Sequence, residues 1–273
     1  MKKYTWLKQP YTWFYIFFIS VFVYFLYVNY SMKNSLKILS WNILADEFIK
    51  KRYYPMIPPD ILLNRKKRQT QIIVTLKQMD TDILLLQEVM PSEFNALSTT
   101  FHKTHHLLRG KNIKWQDKQS YSSNVILLRK SSFALPLQLI PLKFGLGVQC
   151  VYHKRPLLIF NIHLDDISQP TRMKQLSELL PYMQEHEQII VGGDFNENYQ
   201  PQSELYKLLK TNGLKVLNHK PTYFIERKMC IDNILMKGLT LKHTTAHVLD
   251  DFDGDRIKQF ITYGSDHLPV VIN

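Results

Sequence analysis

The sequence predicts a layered α/β domain that follows a separate apolar segment at the N-terminus. Short β-rich runs recur from residue 36 to the C-terminus, and amphipathic helical patterns lie between some of them. Several of these runs are apolar almost throughout, which is typical of strands buried on both faces. The third observation is the uncharged run at residues 11–30. We therefore divide the chain into a short basic tail (1–10), an apolar segment (11–30) and a domain (31–273).

The apolar segment, YTWFYIFFISVFVYFLYVNY, has the length and composition of a transmembrane helix. A helix of about twenty residues crosses ~30 Å of hydrocarbon, and Tyr and Trp lie at both ends of the run, as in an interfacial belt. A signal peptide and a buried helix are the alternatives. The bulky residues 27–30 offer no small-residue cleavage site, and the run has no polar face to meet water. We expect an uncleaved, single-pass membrane anchor, whose orientation the flanking lysines leave open.

The charge of the chain favours anionic partners. Lysine and arginine number 35 against 23 acidic residues, a formal net charge of +12. Most of this excess belongs to the domain, which points to nucleic acid or an anionic membrane surface. Cys150 and Cys230 form neither a zinc-binding pattern nor a disulfide framework.

The elements of the domain follow from local pattern. The predicted strands are 36–41, 82–87, 124–129, 157–162, 188–192 and 268–272. Helices are predicted over 65–79, 171–184 and 202–211; in the first two, apolar residues recur at helical spacing. Residues 49–64 contain three prolines, at positions 55, 58 and 59, and long loops in compact domains are often functional.

Polar residues follow or end most of the predicted strands. The ends of strands in a layered α/β domain can converge on one crevice. Oxygen ligands such as Glu88 and Asp266 suit Mg²⁺ or Mn²⁺, and an aspartate with histidines supplies acid and base groups for attack of water on phosphorus. The residues at these positions are Asn42, Gln87, Glu88, His163, Asp165, Asp166, Asp194, Asn196, Asp232, Ser265, Asp266 and His267.

The segments SWNILAD, DILLLQEV, IFNIHL, GGDFNEN, CIDNIL and YGSDHLPV, in this order, resemble the motif series of the endonuclease/exonuclease/phosphatase superfamily over residues 36–273. This resemblance implies a four-layer α/β sandwich, in which two packed mixed sheets are flanked by helices. It also implies metal-dependent hydrolysis of a phosphoester by in-line attack of water, with one or two Mg²⁺ ions, or Mn²⁺ in their place.

The resemblance further implies roles for the matched residues. Glu88 and Asp266 resemble the metal-binding acids, and Asn42 resembles a residue at the metal or the phosphate. Asp194 resembles the residue that orients or deprotonates the attacking water. Asn196 resembles an amide that holds a phosphate oxygen, and the glycines before Asp194 are expected to let the backbone deliver both side chains to that phosphate.

The remaining matches concern two histidines. Asp232 and His267 resemble a pair in which the carboxylate fixes the tautomer of the imidazole. His163 lies where pancreatic deoxyribonuclease and the deadenylases have a histidine that contacts phosphate.

The front of the domain, from WNILADEF to DILLLQEV, resembles the deadenylases of the carbon-catabolite-repressor and nocturnin group. The sequence therefore predicts a membrane-anchored, Mg²⁺-dependent nuclease that acts on single-stranded RNA or DNA. Because neutral sphingomyelinases share the histidine and are membrane-associated, a phospholipid headgroup phosphodiesterase is the alternative. A phosphate-binding module without activity is the third hypothesis.

Other polar motifs are interpreted as structural. His102, His105 and His106 lack a nearby carboxylate and are expected to form a surface cluster. The acidic motif 250–255 has its glycine at the wrong position for an EF-hand. The basic runs 50–52 and 65–68 are interpreted as solvated faces, with contact to a phosphate backbone as the alternative. Tyr53, Tyr54 and Trp115 are expected to pack, with stacking on bases as the alternative.

Overall fold

Two six-stranded mixed sheets pack face to face at the centre of the domain. The structure, a computed structural model, describes residues 14–24, 36–115, 118–223, 228–239, 241, 245–250 and 255–273. Its strands are β1 (Ile38–Asn42), β2 (Ile83–Val89), β3 (His105–Trp115), β4 (Lys118–Arg129), β5 (Gln138–Leu142), β6 (Gly145–Tyr152), β7 (Arg155–His163), β8 (Ile189–Asp194), β9 (Lys215–Val216), β10 (Asp232–Lys237), β11 (His247–Val248) and β12 (Val270–Ile272).

The strand orders are β11-β12-β1-β2-β4-β3 in the first sheet and β5-β6-β7-β8-β10-β9 in the second. In each sheet one central pair is parallel, β1 with β2 and β7 with β8. These central strands are buried along nearly their whole length. Their almost wholly apolar sequences match that environment.

Helices cover the outer face of each sheet and complete the four layers. Leu76, Leu97 and Tyr263 pack with Trp41 and Leu86 on the first sheet, and helices of the middle region cover the second. The predicted α/β sandwich is therefore confirmed. The helices of the domain are α1 (Pro59–Leu62), α2 (Arg65–Met79), α3 (Pro91–Phe101), α4 (Gln169–Ser177), α5 (Leu180–Glu185), α6 (Glu204–Thr211) and α7 (Arg256–Tyr263), with 3₁₀ turns at Asp46–Phe48 and Lys51–Tyr53.

Prolines explain two of the differences between predicted and observed elements. The single helix predicted over 171–184 is two helices, α4 and α5. Pro181 explains the interruption, because it has no N–H to continue the hydrogen bonds of a preceding helix. The last strand begins at Val270 rather than at residue 268, directly after Pro269, which cannot donate to the ladder.

A buried amide joins the two sheets. Nδ2 of Asn161 donates to the carbonyl oxygens of Leu86 and Val125, each at 2.9 Å, and its Oδ1 accepts from Nε2 of Gln87 at 2.7 Å. Buried polar groups require such partners. Gln87, which we grouped with the polar strand ends, therefore belongs to the interface between the sheets and not to the crevice predicted at the strand ends.

Part of the predicted membrane anchor is described. Residues 14–24 form a helix with exposed side chains. Within the described part of the chain, no helix combines the length and the apolarity that crossing a bilayer requires. Residues 11–13 and 25–30 of the predicted span lie outside the described residues.

Candidate active site

The predicted site residues converge on one cleft of about 560 Å³ at an edge of the two sheets. Strand register explains part of this convergence. His163 pairs with Asp194 between β7 and β8, and Asp194 pairs with Asp232 between β8 and β10. Asn42 and Asp232 do not line the cleft, but they form hydrogen bonds with two residues that do, Glu88 and His267 respectively. The predicted residues that line the cleft are Glu88, His163, Asp194, Asn196, Asp266 and His267.

The glycine pair before Asp194 lets β8 pack closely against its neighbours. Both glycines lie inside β8. A Cβ at Gly193, whose φ is +150°, would collide with the carbonyl oxygen of Ile162 on the neighbouring strand, and a Cβ at Gly192 would meet Leu85 of the opposite sheet. The pair thus permits close packing of β8 within and between the sheets, and Asp194 follows at the last position of the strand.

Asp194 occupies the centre of the cleft. Its Oδ2 lies 3.7 Å from Nε2 of His163 and 3.8 Å from Nε2 of His267. Nδ2 of Asn42 donates to the same oxygen at 3.1 Å, and the backbone N–H of Asn196 donates to Oδ1 at 2.9 Å. Both imidazole separations exceed hydrogen-bond length, and a small ligand oxygen or a water can bridge such gaps.

Asp232 and His267 form a buried pair. Nδ1 of His267 lies 2.9 Å from Oδ2 of Asp232, which is wholly buried. Because an ionised carboxylate can only accept, Nδ1 carries a proton, and Nε2 faces Asp194. Burial by itself lowers the pKa of His267, but nearby carboxylates, Asp232 first, outweigh it and raise the pKa well above its usual range.

A β-bulge directs Glu88 into the cleft. The register between β2 and β4 shifts between Leu86 and Val89, and Glu88 has a left-handed φ of +58°, which is uncommon for a residue with a side chain. Its Oε1 accepts from Nδ2 of Asn42 and its Oε2 from the backbone N–H of Ala45, both at 2.8 Å. Burial raises the pKa of Glu88.

Asp266 is oriented by a residue whose role the sequence did not reveal. The hydroxyl of Tyr54 donates to its Oδ2 at 3.0 Å. Among the described residues, no group donates a hydrogen bond to its buried Oδ1. We expected Tyr54 only to pack, and no local pattern separates it from the exposed Tyr53. The contact joins residues 212 positions apart.

The donor set of the cleft fits a divalent cation. Two buried carboxylates, Glu88 and Asp266, line the same space, and Oδ1 of Asp266 needs a partner. Hard oxygen donors of this kind suit Mg²⁺ or Mn²⁺, and a cation would offset the effect of burial on Glu88. A second group, Asp194, Asp232 and His267, brings ligand atoms within 4.8 Å of one another, but the hydrogen bond within the Asp232–His267 pair already engages two of its three members.

The remaining polar residues near β7 and β8 separate into two groups. Asn196 has a left-handed φ of +49° and donates from Nδ2 to the carbonyl of Leu164 at 2.9 Å, which leaves its second amide hydrogen for a ligand. Asp166 also lines the cleft, and burial, together with the charge of Asp165, raises its pKa to about 6. Asp165 instead accepts hydrogen bonds from the backbone N–H groups of Ile167 and Ser168.

The basic run 65–68 is only partly the solvated face that we predicted. Arg68 is buried, and its guanidinium donates to the carbonyl oxygens of Gly264 at 2.8 Å and Leu44 at 2.5 Å. It also forms an ion pair with Asp46 at 2.6 Å. Arg68 therefore holds together two segments that flank the cleft, whereas Lys66 and Lys67 are exposed.

The three histidines do not form the surface cluster that we predicted. His102 is exposed at the end of α3, but His105 is buried in β3 and makes a hydrogen bond to the carbonyl of Thr81. His106 instead makes one to the carbonyl of Phe133. Of the acidic motif 250–255, residues 251–254 lie outside the described residues, as does the side chain of Trp115.

Comparison with known proteins agrees with this architecture. The family model "Endonuclease/Exonuclease/phosphatase family" matches residues 39–267. No curated protein sequence matches the chain. An endonuclease/exonuclease/phosphatase from Bacteroides vulgatus has a similar structure, with a TM-score of 0.65 and 16% identity over 86% of this chain and 97% of that one.

Two further solved structures are similar. ANGEL2, described as a 2′,3′-cyclic phosphatase, has a TM-score of 0.68 and 15% identity over 86% of this chain and 93% of its own. D. rerio TDP2 complexed with single strand DNA product has a TM-score of 0.58 and 18% identity over 86% and 97%. At these identities the structural likeness establishes the fold alone. Because the family model covers most of the sequence, the chain belongs to the endonuclease/exonuclease/phosphatase family, whose members are phosphoester hydrolases that typically depend on a divalent metal.

Proposed function

We propose that the protein is a Mg²⁺-dependent phosphodiesterase that hydrolyses single-stranded nucleic acid by direct attack of water on phosphorus. The observation that carries this proposal is the position of Asp194 between two imidazole nitrogens, at 3.7 Å from His163 and 3.8 Å from His267. A carboxylate in this position can hold a water molecule, while the imidazoles face the oxygens of a phosphate beside it.

The chemical roles follow from these contacts. Asp194 orients the attacking water and accepts its proton. His267, whose raised pKa keeps it protonated near neutral pH, donates from Nε2 to a non-bridging oxygen where negative charge develops. His163 and the second amide hydrogen of Asn196 are the other donors to the phosphate. Asp232 acts through His267 by fixing its orientation and tautomer.

Glu88 and Asp266 would hold the metal ion, with Asn42 beside it. A divalent cation held by these residues would supply charge neutralisation at the phosphate and a lower pKa of bound water. Asn42 donates to both Glu88 and Asp194, so that it couples the metal-binding side of the cleft to the water-binding side. Ser265 supports this arrangement, because its hydroxyl donates to the carbonyl of Asn42 at 2.7 Å.

Two observations support nucleic acid as the substrate class. The chain has a formal net charge of +12, and an excess of basic residues favours polyanions. Among the similar structures, TDP2 contains a single strand DNA product and ANGEL2 contains adenosine-2′,3′-vanadate. The same fold also occurs in a mannosyl-6-phosphatase of Bacteroides thetaiotaomicron.

We also propose that residues 11–30 anchor the protein in a membrane. The uncharged sequence of this segment and its aromatic ends support the proposal. Membranes from expressing cells should retain the protein after washing with high salt and alkaline carbonate, whereas a chain without residues 1–30 should be released. Release of the full-length protein by these washes would contradict the proposal.

The test of activity uses the full-length protein in detergent with Mg²⁺. Its substrates are 5′-labelled oligoadenylate, mixed-sequence RNA, single-stranded DNA and sphingomyelin liposomes. Glu88→Gln and His267→Ala should abolish cleavage, whereas the exposed-site controls Glu178→Gln and His102→Ala should retain it. Release of phosphocholine with intact nucleic acid would assign the enzyme to lipid substrates. If the wild-type protein binds these substrates but hydrolyses none of them, the result would favour the hypothesis of a phosphate-binding module without activity.

A further inference from the structure

Three side chains at the mouth of the cleft have no part in the chemistry described above. Lys50, Arg52 and Tyr53 belong to the loop that follows β1 and line the cleft beside the catalytic residues. We propose that these residues, which we call the basic shelf, bind a second phosphate of the nucleic-acid strand and the adjoining base. This inference rests on the proposed function and deepens it, because it makes an oligonucleotide the preferred substrate.

The acidic and the basic side chains of this loop point to different surroundings. Its two acids are turned to other partners: Asp46 pairs with Arg65 and Arg68, each at 2.6 Å, and Glu47 accepts from Ser120 and from the backbone N–H of Ser122. Neither acid therefore neutralises the charge of Lys50 or Arg52, the basic residues that line the cleft.

No ion pair joins Lys50 or Arg52 to a carboxylate in the described part of the chain. Both side chains are exposed. Unpaired cations at the mouth of a cleft attract a polyanion and release its counterions when it binds. The free charge of these two residues is therefore available to a phosphate.

The aromatic member of the basic shelf is exposed but held in place. Tyr53 is 45% exposed. The Lys50 ammonium lies 5.6 Å and the Arg52 guanidinium 4.9 Å from the centre of its ring, and Nη2 of Arg52 donates to its hydroxyl at 2.9 Å. An exposed aromatic ring beside basic side chains is the arrangement that binds single-stranded nucleic acid through stacking and backbone contact.

The basic shelf is anchored directly to the catalytic residues. The next residue, Tyr54, is buried, packs against Phe260 with ring centres 6.0 Å apart, and donates to Asp266. Ile57 and Leu62 extend the same apolar cluster. A phosphate bound by the basic shelf would therefore have a defined position relative to the reacting phosphate at the catalytic residues.

This arrangement discriminates between substrates. A strand with several phosphates can occupy the catalytic residues and the basic shelf together, whereas a small phosphodiester with one phosphate uses the catalytic residues alone. A phosphocholine headgroup would bring its quaternary ammonium towards two unpaired cations, which is repulsive. The basic shelf therefore favours nucleic acid over a choline lipid.

The experiment compares two substrates in full-length variants. Lys50→Ala/Arg52→Ala and Tyr53→Ala are tested against Lys66→Ala/Lys67→Ala, a control that removes two exposed lysines of α2 away from the cleft. The substrates are a 5′-labelled single-stranded decamer and bis(p-nitrophenyl) phosphate. In parallel, fluorescence anisotropy measures the Kd of the labelled decamer without Mg²⁺, a readout that needs no turnover.

We expect the double variant to raise KM and Kd for the decamer about tenfold, as removal of a charged hydrogen bond implies. Its plot of log Kd against log salt should become shallower by ~0.7 for each phosphate that the variant no longer neutralises. Tyr53→Ala should weaken binding by roughly fivefold or more. The KM for bis(p-nitrophenyl) phosphate should not change, and the control should behave like the wild type.

Two results would overturn the role of the basic shelf: an unchanged Kd and salt slope for the decamer, or an equal rise in KM for both substrates. Failure of the proposed function looks different, since a wild-type enzyme would then hydrolyse the small diester and leave every oligonucleotide intact. Because the three side chains are exposed, thermal unfolding should be the same in all variants.

Discussion

Replacement of Asp232 by asparagine is the most direct test of the proposed acid–base pair. The side chain of Asp232 is wholly buried and its Oδ2 lies 2.9 Å from Nδ1 of His267. Asparagine has nearly the same shape but no charge, so the variant changes the electrostatics of the pair without creating a cavity. Asp232 does not line the cleft, and the substitution should therefore lower kcat and leave KM nearly unchanged.

The size of the effect follows from the two orientations of the new amide. If its oxygen faces His267, the pair loses a hydrogen bond between charged groups, worth about 1.5–3 kcal/mol. Its NH₂ then occupies the position of Oδ1 of Asp232, which has no hydrogen-bond partner among the described residues. If the NH₂ faces His267 instead, Nδ1 must become an acceptor and the imidazolium is lost. The first orientation predicts a fall in kcat of about 10- to 10²-fold, since 1.36 kcal/mol corresponds to a factor of ten. The second predicts a fall at least as large, because the protonated donor itself is lost.

The assay measures kcat and KM between pH 5 and 9 with the labelled decamer and with bis(p-nitrophenyl) phosphate. The carboxylates around His267 raise its pKa, and the protonated imidazole is the proposed donor. Activity should thus decline as the pH rises through that pKa, and the decline should begin at lower pH in Asp232→Asn. The exposed-site control Asp60→Asn should match the wild type. A kcat within about threefold of the wild-type value would refute the assignment of the pair.

Three further predictions concern the metal-binding acid, the rim of the cleft and the interface between the sheets. Mg²⁺ should raise the Tm of the wild type, and Glu88→Gln should abolish the increase, because a bound cation stabilises only the folded state; an equal increase in the variant would exclude Glu88 as a ligand. Burial raises the pKa of Asp166 to about 6, so its charge should repel an anionic substrate above that pH: KM should rise as pH increases through 6 in the wild type and stay level in Asp166→Asn. Asn161→Ala removes the buried hydrogen bonds to the carbonyls of Leu86 and Val125 and should lower the free energy of unfolding in urea by about 2–5 kcal/mol; a decrease below about 1 kcal/mol would show that water replaces the amide.

Local sequence pattern identified six of the twelve strands in the described part of the chain and the polar residues at their ends. Wholly apolar runs indicate strands buried on both faces, and Asn42, His163 and Asp194 each lie at the last position of such a strand. Where two such strands are parallel neighbours, as β7 and β8 are, their last positions lie side by side. The convergence of the candidate residues could therefore be expected before any coordinates were known, and so could the two-sheet architecture that the ordered motifs imply.

Contacts between distant segments could not be read from local pattern. Tyr53 and Tyr54 are adjacent and chemically alike, yet one is exposed at the mouth of the cleft and the other is buried against Asp266. Likewise, Arg68 belongs to a run of four basic residues, but it alone among them is buried. Its environment depends on the positions of Leu44 and Gly264, which belong to two other segments of the fold.

The sequence by itself determined the fold class, the family and the set of candidate catalytic residues, because these depend on short periodic patterns and on motif order. Only the tertiary structure decided how those residues are used. Three features depend on contacts between segments that are far apart in the chain. They are the bulge that turns Glu88 inwards, the close packing that requires Gly193, and the orientation of the charged side chains around the basic shelf. Local sequence pattern does not reveal such contacts, because in a closely packed interior the position of each side chain depends on atoms from distant segments.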